Sequence, residues 1–160
     1  MFEDMRAAGC EEISLGVESF DERVLEGLNC GKCNSRTILE AAKNAKLSGL
    51  TVRALMMCGL PFEDERTLAL DTQFMESPYV DCVAMTVFTP LPGSDIYENP
   101  EKYGCTLREI PDTGLCLYGP NGRNPVEPKI LRSDLSLDAH RTLMERMISA
   151  AEQTKKVGKG

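Results

Sequence analysis

The residue of this 160-residue chain best placed to do chemistry is Glu18, near the end of the segment EEISLGVESF. Ile13, Leu15 and Val17 alternate with small or polar residues, and this period of two predicts a strand with one apolar face. A carboxylate at such a strand end accepts hydrogen bonds from ligand hydroxyl groups or pairs with an ammonium group. A simpler interpretation is that Glu18 caps the following turn, where it would accept backbone N–H groups near Asp21.

The spacing most typical of a metal site is the pair Cys30 and Cys33, separated by two residues. A zinc ribbon needs a second such pair or added histidines, and the single histidine, His140, falls in the predicted last helix. A thioredoxin-type pair should follow a strand and open a helix, whereas this pair links two predicted helices. We therefore predict no metal ligands and no catalytic residue in the chain, and a redox or metal protein is the least favoured alternative.

Composition narrows the class of protein. A hydrophobic share of 42% with 27% charged residues is typical of a globular domain, and no apolar run approaches the roughly 20 residues that span a bilayer. The net charge of −7 argues against broad binding to nucleic-acid phosphates. The seven cysteines sit mostly in apolar runs, which suits a reducing compartment. These features predict a cytoplasmic protein that binds neither nucleic acid nor membrane.

The predicted strands and helices that position Glu18 alternate along the chain at regular spacing. Strands are predicted over 12–18, 51–61 and 81–90, and each is followed by a helical pattern, so parallel pairing and an α/β class are expected. The run TVRALMMCGLP at 51–61 is nearly continuous in apolar residues and predicts a strand buried on both faces. The predicted helix N-caps are the side chains of Asp21, Ser35, Asp64 and Ser136.

The carboxyl-terminal third has a different character. Turn residues within GLCLYGPNGRNPVEP, at 114–128, indicate a hairpin, although its prolines interrupt a second strand. A helix is predicted over about 137–153 with its apolar residues on one side. We interpret 105–160 as an extension that carries this hairpin and the terminal helix.

Three phrases in fixed order, AGCEEISLGVESFDERVLEGLN, VRALMMCGLP and FTPLPGSDIY, together resemble the second half of a radical S-adenosylmethionine (radical SAM) enzyme core. The resemblance covers residues 1–104 and is closest to the branch of coproporphyrinogen dehydrogenases, methylthiotransferases and cobalamin-associated Mg-protoporphyrin ester cyclases. It implies half of a parallel (βα)6 partial TIM barrel, with this chain supplying three βα units. Residues 105–160 would be a family-specific extension.

The resemblance also implies residues that bind S-adenosylmethionine. By position in the family's motifs these are Glu18 and Ser19 after the first strand, Gly59 after the second, and Thr89 and Pro90 after the third. Two simpler interpretations stay open. The glycine could serve only a tight turn, and the last pair could be an ordinary proline-stiffened loop.

The chain departs from the family pattern in several respects, two of which concern groups that contact the cofactors. Cys30 stands where relatives carry a basic residue that neutralises the cofactor carboxylate, a role that Lys32 could take over. The Cys-x3-Cys-x2-Cys loop that holds the family's [4Fe–4S] cluster does not occur among the seven cysteines. The resemblance therefore implies that S-adenosylmethionine and the cluster belong to a longer parent, with cobalamin as a further cofactor in one branch.

Two functions follow as expectations. In the first, the chain is the carboxyl-terminal portion of a radical SAM iron–sulfur oxidoreductase, whose parent makes a 5′-deoxyadenosyl radical that acts on a small-molecule substrate. Its partner would be the amino-terminal half of the barrel, and the segment by itself would be inactive. In the second, the chain is a stand-alone half-barrel that binds or assembles, with a second copy of itself as partner, because half a barrel leaves strand edges unpaired.

Overall fold

A computed structural model describes residues 1–28, 34–108 and 126–154. The helices in these ranges are α1 (Phe2–Ala7), α2 (Glu22–Gly27), α3 (Ser35–Leu47), α4 (Glu65–Met75), α5 (Asp95–Glu98) and α6 (Leu137–Thr154), with a 3-10 turn at Pro100–Tyr103. The strands are β1 (Glu12–Glu18), β2 (Thr51–Cys58), β3 (Cys82–Val87), β4 (Cys105–Leu107) and β5 (Ile130–Arg132). Within these ranges no helix has the length and apolar character needed to cross a membrane.

The first three strands form one parallel sheet in the order β1-β2-β3. Glu18 of β1 lies beside Met56 of β2, and Cys58 of β2 lies beside Val87 of β3. The carboxyl ends of all three strands therefore meet at one edge of the sheet. The predicted mixed α/β arrangement with a parallel sheet is confirmed.

Within the described residues, helices cover one face of this sheet and leave the other face uncovered. On β2, Val52, Ala54 and Met56 are buried, whereas Leu55 between them is 38% exposed. The prediction that 51–61 is buried on both faces is thus wrong, because apolar residues of β2 also occupy the uncovered face. β1 alternates in the same way, with Ile13 and Val17 buried. The apolar face predicted for β1 is confirmed.

The terminal helix α6 packs beside α4 and over β3. Its Met144 and Met147 are fully buried in the same apolar core as Met56 and Phe74, and His140 is buried on the same side. The predicted helix over 137–153 is therefore confirmed. β4 and β5 form a separate antiparallel pair. Apart from 126–128, the predicted hairpin lies outside the described residues, and the domain division at residue 104 stays a prediction.

Three of the four predicted N-caps are confirmed, since Asp21, Asp64 and Ser136 each accept a backbone N–H of the helix that follows. The fourth is wrong. Asn34 caps α3 by accepting the Thr37 N–H at 2.9 Å, in a reciprocal capping box. The neighbouring Ser35 is instead the first residue of α3, and both its N–H and its hydroxyl donate to the Glu22 carboxylate.

Candidate functional site

The candidate site lies at the carboxyl edge of the parallel sheet, where β1 ends in a strained turn. The register of β1 shifts between Gly16 and Glu18, and Glu18 has a positive φ of 60°. Across this residue the Ser19 N–H donates to the Val17 carbonyl at 2.7 Å, which closes a three-residue turn. Positive φ is uncommon for a residue with a side chain, and such residues concentrate at functional sites.

The Glu18 carboxylate reaches back over the uncovered face of the sheet. A Cβ atom placed on Gly16 would lie 3.4 Å from Glu18 Oε1. Position 16 lies on the face of β1 that is turned away from the helices, because Leu15 and Val17 on either side of it face the helices. A Cβ atom at this distance would be in ordinary van der Waals contact, so the carboxylate lies close against the sheet at Gly16. Sequence reasoning had placed Glu18 on this face, and the structure places it there.

Glu18 is an acid at this edge whose carboxylate has no hydrogen-bond partner among the described residues. Partial burial raises the pKa of Glu18 because desolvation disfavours the charged form. The capping role that was left open falls instead to Asp21, whose carboxylate accepts the Arg23 N–H at 3.0 Å. A half-buried carboxylate without a partner is suited to accept hydrogen bonds from a ligand.

Ser19 lies beside Glu18 but points the other way. Its side chain is fully buried, and its hydroxyl donates to Asp71 Oδ1 at 3.1 Å. The Ser19 hydroxyl oxygen in turn accepts the Asp21 N–H at 3.2 Å. The Phe20 N–H donates to the same Asp71 oxygen at 2.6 Å. The hydroxyl of Ser19 therefore serves the turn in this structure, and contact with a cofactor stays a prediction for it.

A polar network ties this turn to the start of α4. Arg23 bridges the carboxylates of Asp21 and Asp64, with a nitrogen–oxygen distance of 2.8 Å to each. Thr67 donates its hydroxyl to Asp21 at 2.9 Å. Burial would raise the pKa of Asp21, but the hydrogen bonds from Arg23 and Thr67 outweigh it and lower the pKa. The loops after β1 and β2 are thus held to each other.

Gly59 begins the loop after β2 with a positive φ of 85°. A Cβ atom there would lie 3.0 Å from Met144 Cε of α6, and the Gly59 N–H donates to Glu63 Oε2 at 2.9 Å. The positive φ favours glycine in this turn without any ligand, and Met144 would have to shift slightly to admit a Cβ atom. The predicted contact of Gly59 with a cofactor stays a prediction.

Glu63 is a fully buried acid that sequence reasoning missed. Its Oε1 atom has no hydrogen-bond partner within the described residues. Burial raises its pKa to about 8, the Gly59 N–H opposes the rise, and the nearby Asp71 adds to it. Burial also raises the pKa of Asp71, to about 7. Two acids that hold protons near neutral pH thus lie behind the candidate site.

Thr89 and Pro90 follow β3 at the same edge and are half-buried. The Phe88 N–H donates to the Cys58 carbonyl at 2.8 Å, which extends the ladder one residue past β3. Thr89 donates its hydroxyl to the Val87 carbonyl at 3.4 Å. The structure therefore brings Glu18, Gly59 and the Thr89–Pro90 loop to one edge of the sheet, as the sequence predicted.

Other candidates of the sequence lie elsewhere. Cys30, Lys32 and Cys33 fall outside the described residues. The cysteines at 10, 58, 82 and 105 form no disulfide, and the described ranges contain no group of three metal-ligating side chains. The cysteines in the part of the chain that the structure describes thus do not fit an iron–sulfur cluster. A groove of about 550 Å³ lies between α4 and α6, and Arg146 pairs with Glu65 there.

Comparison with known proteins supports the class indicated by this fold and site. Residues 1–75 match the family model described as the radical SAM superfamily. The resemblance read from the sequence is confirmed at this level for residues 1–75, and S-adenosylmethionine and a [4Fe–4S] cluster are the cofactors that this superfamily implies. The particular branch stays a prediction.

The proteins similar to this chain include one curated sequence and one solved structure. A Pyrococcus horikoshii protein named uncharacterized methyltransferase PH0819 is 30% identical over 94 residues, which are 59% of this chain and 20% of that protein. The archaeal Methanocaldococcus infernus Elp3 with an N-terminal deletion aligns with a TM-score of 0.55 and 21% identity, over 62% of this chain and 24% of that one. The second likeness is one of fold alone. This chain spans about a fifth to a quarter of these proteins' lengths.

Proposed function

We propose that this chain is the carboxyl-terminal portion of a radical SAM iron–sulfur oxidoreductase and contributes contacts to S-adenosylmethionine and to a small-molecule substrate. In this proposal β1, β2 and β3 are strands four to six of a (βα)6 partial barrel. The uncovered face of the sheet is then the lumen of the barrel. The amino-terminal half would be the partner that covers it and carries the cluster ligands.

The observation that carries the proposal is the unpaired Glu18 carboxylate over Gly16. Enzymes built on parallel barrels place their sites at the carboxyl ends of the strands, which is where this side chain lies. A carboxylate there can accept hydrogen bonds from both ribose hydroxyls of a nucleoside. Gly59 and the loop at Thr89 and Pro90 lie at the same edge and would line the adenosine part of the site.

S-adenosylmethionine supplies the radical chemistry of this superfamily when it is bound. The residues of this chain would orient the nucleoside and exclude water from it. Cobalamin enters the proposal only for a parent of the cobalamin-associated branch. The free cysteines Cys58 and Cys105 lie buried, and we infer a reducing, cytoplasmic setting from the cysteine usage as a whole.

Titration of the ¹⁵N-labelled chain with S-adenosylmethionine tests the proposal. We expect chemical-shift changes at the amides of residues 16–20, 59 and 86–89. Glu18→Gln removes a charged acceptor and should weaken binding by about tenfold or more. Glu12→Gln is the matched control, because Glu12 lies at the opposite end of β1 and pairs with Arg53. Equal affinity in the wild type and Glu18→Gln, or no shifts at this edge, would overturn the proposal.

A second candidate function is a half-barrel module that dimerises through its sheet. Within the described residues β1 and β3 each pair on one side only, and Leu55 is 38% exposed on the uncovered face. Unpaired strand edges favour association with another chain. Sedimentation should then show a concentration-dependent dimer that Leu55→Glu disrupts. A monomer at every concentration would exclude this function.

A further inference from the structure

Asp71 belongs to α4, but its hydrogen bonds go to the turn that follows β1. Its Oδ1 atom accepts the Phe20 N–H at 2.6 Å and the Ser19 hydroxyl at 3.1 Å. The side chain is fully buried, and these bonds span about fifty positions of sequence. One carboxylate thus holds the two residues that directly follow Glu18.

The strained turn at Glu18 needs stabilising contacts from its surroundings. A residue with a side chain at positive φ is less stable than in extended backbone by about 1 kcal/mol or more. The surrounding structure must offset this strain for the conformation to persist. Hydrogen bonds to an ionised acceptor are about twice as strong as neutral ones, so an ionised Asp71 is well suited to do so.

We propose, on the basis of the function proposed above, that Asp71 is a positioning residue that holds this turn so that Glu18 presents its carboxylate to the bound nucleoside. Asp71 itself does not touch the ligand. It acts through the Phe20 backbone and the Ser19 hydroxyl. The hydrogen bonds that Asp71 accepts are strongest when its carboxyl is ionised, and they weaken when the carboxyl takes up a proton.

The surroundings of Asp71 set the pH at which this change occurs. The titratable and charged groups that face it or its neighbours are Asp21 and Arg23 after β1, Cys58 and Glu63 at the end of β2, and Arg132 of β5. Burial is the main cause that raises the pKa of Asp71, and Asp21 adds to it, while the bonds from Phe20 and Ser19 oppose the rise. The resulting pKa of about 7 places the change near neutral pH.

The amide proton of Phe20 reports the state of Asp71 directly. In the wild type we expect its chemical shift to move downfield as pH rises, with a midpoint near 7, because the acceptor becomes charged. Asp71→Asn should abolish this titration in a protein that still folds, since the amide side chain is isosteric. Glu63→Gln should keep it, which separates the titration of Asp71 from that of its acidic neighbour.

Asp81→Asn is the matched control. Asp81 also joins a helix to a strand, since it pairs with Lys46 and accepts the Val52 N–H at 2.8 Å, but it does so at the amino edge of the sheet. This variant loses a comparable carboxylate and should leave the Phe20 titration intact. A Phe20 amide that does not respond to pH in the wild type, or that still titrates in Asp71→Asn, would overturn the positioning role.

Affinity for S-adenosylmethionine gives a second, independent readout. We expect the wild type to bind about fivefold to tenfold more tightly at pH 8 than at pH 6. Asp71→Asn should bind as weakly at both pH values as the wild type does at pH 6, where Asp71 is protonated. If S-adenosylmethionine binds and Asp71→Asn keeps wild-type affinity and pH dependence, the positioning role is wrong and the proposed function stands. If S-adenosylmethionine shifts no resonance while the Phe20 titration is as expected, the proposed function fails and the hold on the turn is supported.

Discussion

Replacing Glu63 by glutamine should change how stability depends on pH. The buried carboxyl holds its proton with a pKa of about 8, against an ordinary value of 4.5. The folded state therefore binds this proton more tightly than the unfolded chain does. As pH rises from 4.5 to about 8, the unfolded chain releases the proton first, and the wild type loses stability over this window.

The size of the loss follows from the two pKa values. Each pH unit between the two pKa values lowers the free energy of unfolding by about 1.4 kcal/mol. The total loss reaches about 5 kcal/mol by pH 8. Glutamine is neutral throughout and keeps an oxygen that can accept the Gly59 N–H. Glu63→Gln should therefore match the wild type near pH 5 and exceed it in stability near pH 8.

Urea unfolding followed by circular dichroism, at intervals from pH 5 to pH 9, measures this difference. The side chain of Glu65, two residues away, is 70% exposed, so Glu65→Gln should give a profile parallel to that of the wild type. Asp71 titrates in all three proteins, and its contribution largely cancels in the comparison. Parallel profiles for the wild type and Glu63→Gln would refute the burial of an uncompensated carboxyl at this position.

Three substitutions test the packing around the candidate site. Gly59→Ala should lower the free energy of unfolding by about 2 kcal/mol, because φ is positive there and Met144 Cε lies 3.0 Å from the new methyl group. Gly27→Ala would place a methyl group 2.5 Å from the Phe62 ring and should destabilise by about 1–3 kcal/mol, and a smaller residue at 62 should restore part of the loss. Phe74→Ala should remove about 3–5 kcal/mol, since Phe74 is fully buried in the main core. Urea unfolding measures all three, and changes below about 0.5 kcal/mol would contradict the described packing.

The parallel sheet and its edge could be predicted because their signals are local. Period-two alternation marked β1, and the spacing of three strands with intervening helices predicted parallel pairing. The position of Glu18 at a strand end then placed it at the shared edge. The two-sided burial of 51–61 was wrong, because an apolar run does not reveal whether a neighbouring layer covers its second face.

The buried acids could not be placed in the same way. Asp71 occupies the inward stripe of α4 together with Thr67 and Phe74, so its position on an apolar face was a signal that a partner must exist. The partners, Ser19 and Phe20, are distant in sequence. Glu63 gave no signal at all, since it looks like part of an acidic helix start. Tertiary contacts decide such roles, and a single sequence does not encode them locally.

A crystal structure of the protein soaked with S-adenosylmethionine tests the central claim most directly. We expect difference density for the nucleoside on the uncovered face of the sheet, with the ribose hydroxyls within hydrogen-bonding distance of the Glu18 carboxylate and the adenine near Thr89 and Pro90. Density confined to the groove between α4 and α6, or a ligand that leaves the Glu18 carboxylate without contact, would contradict it.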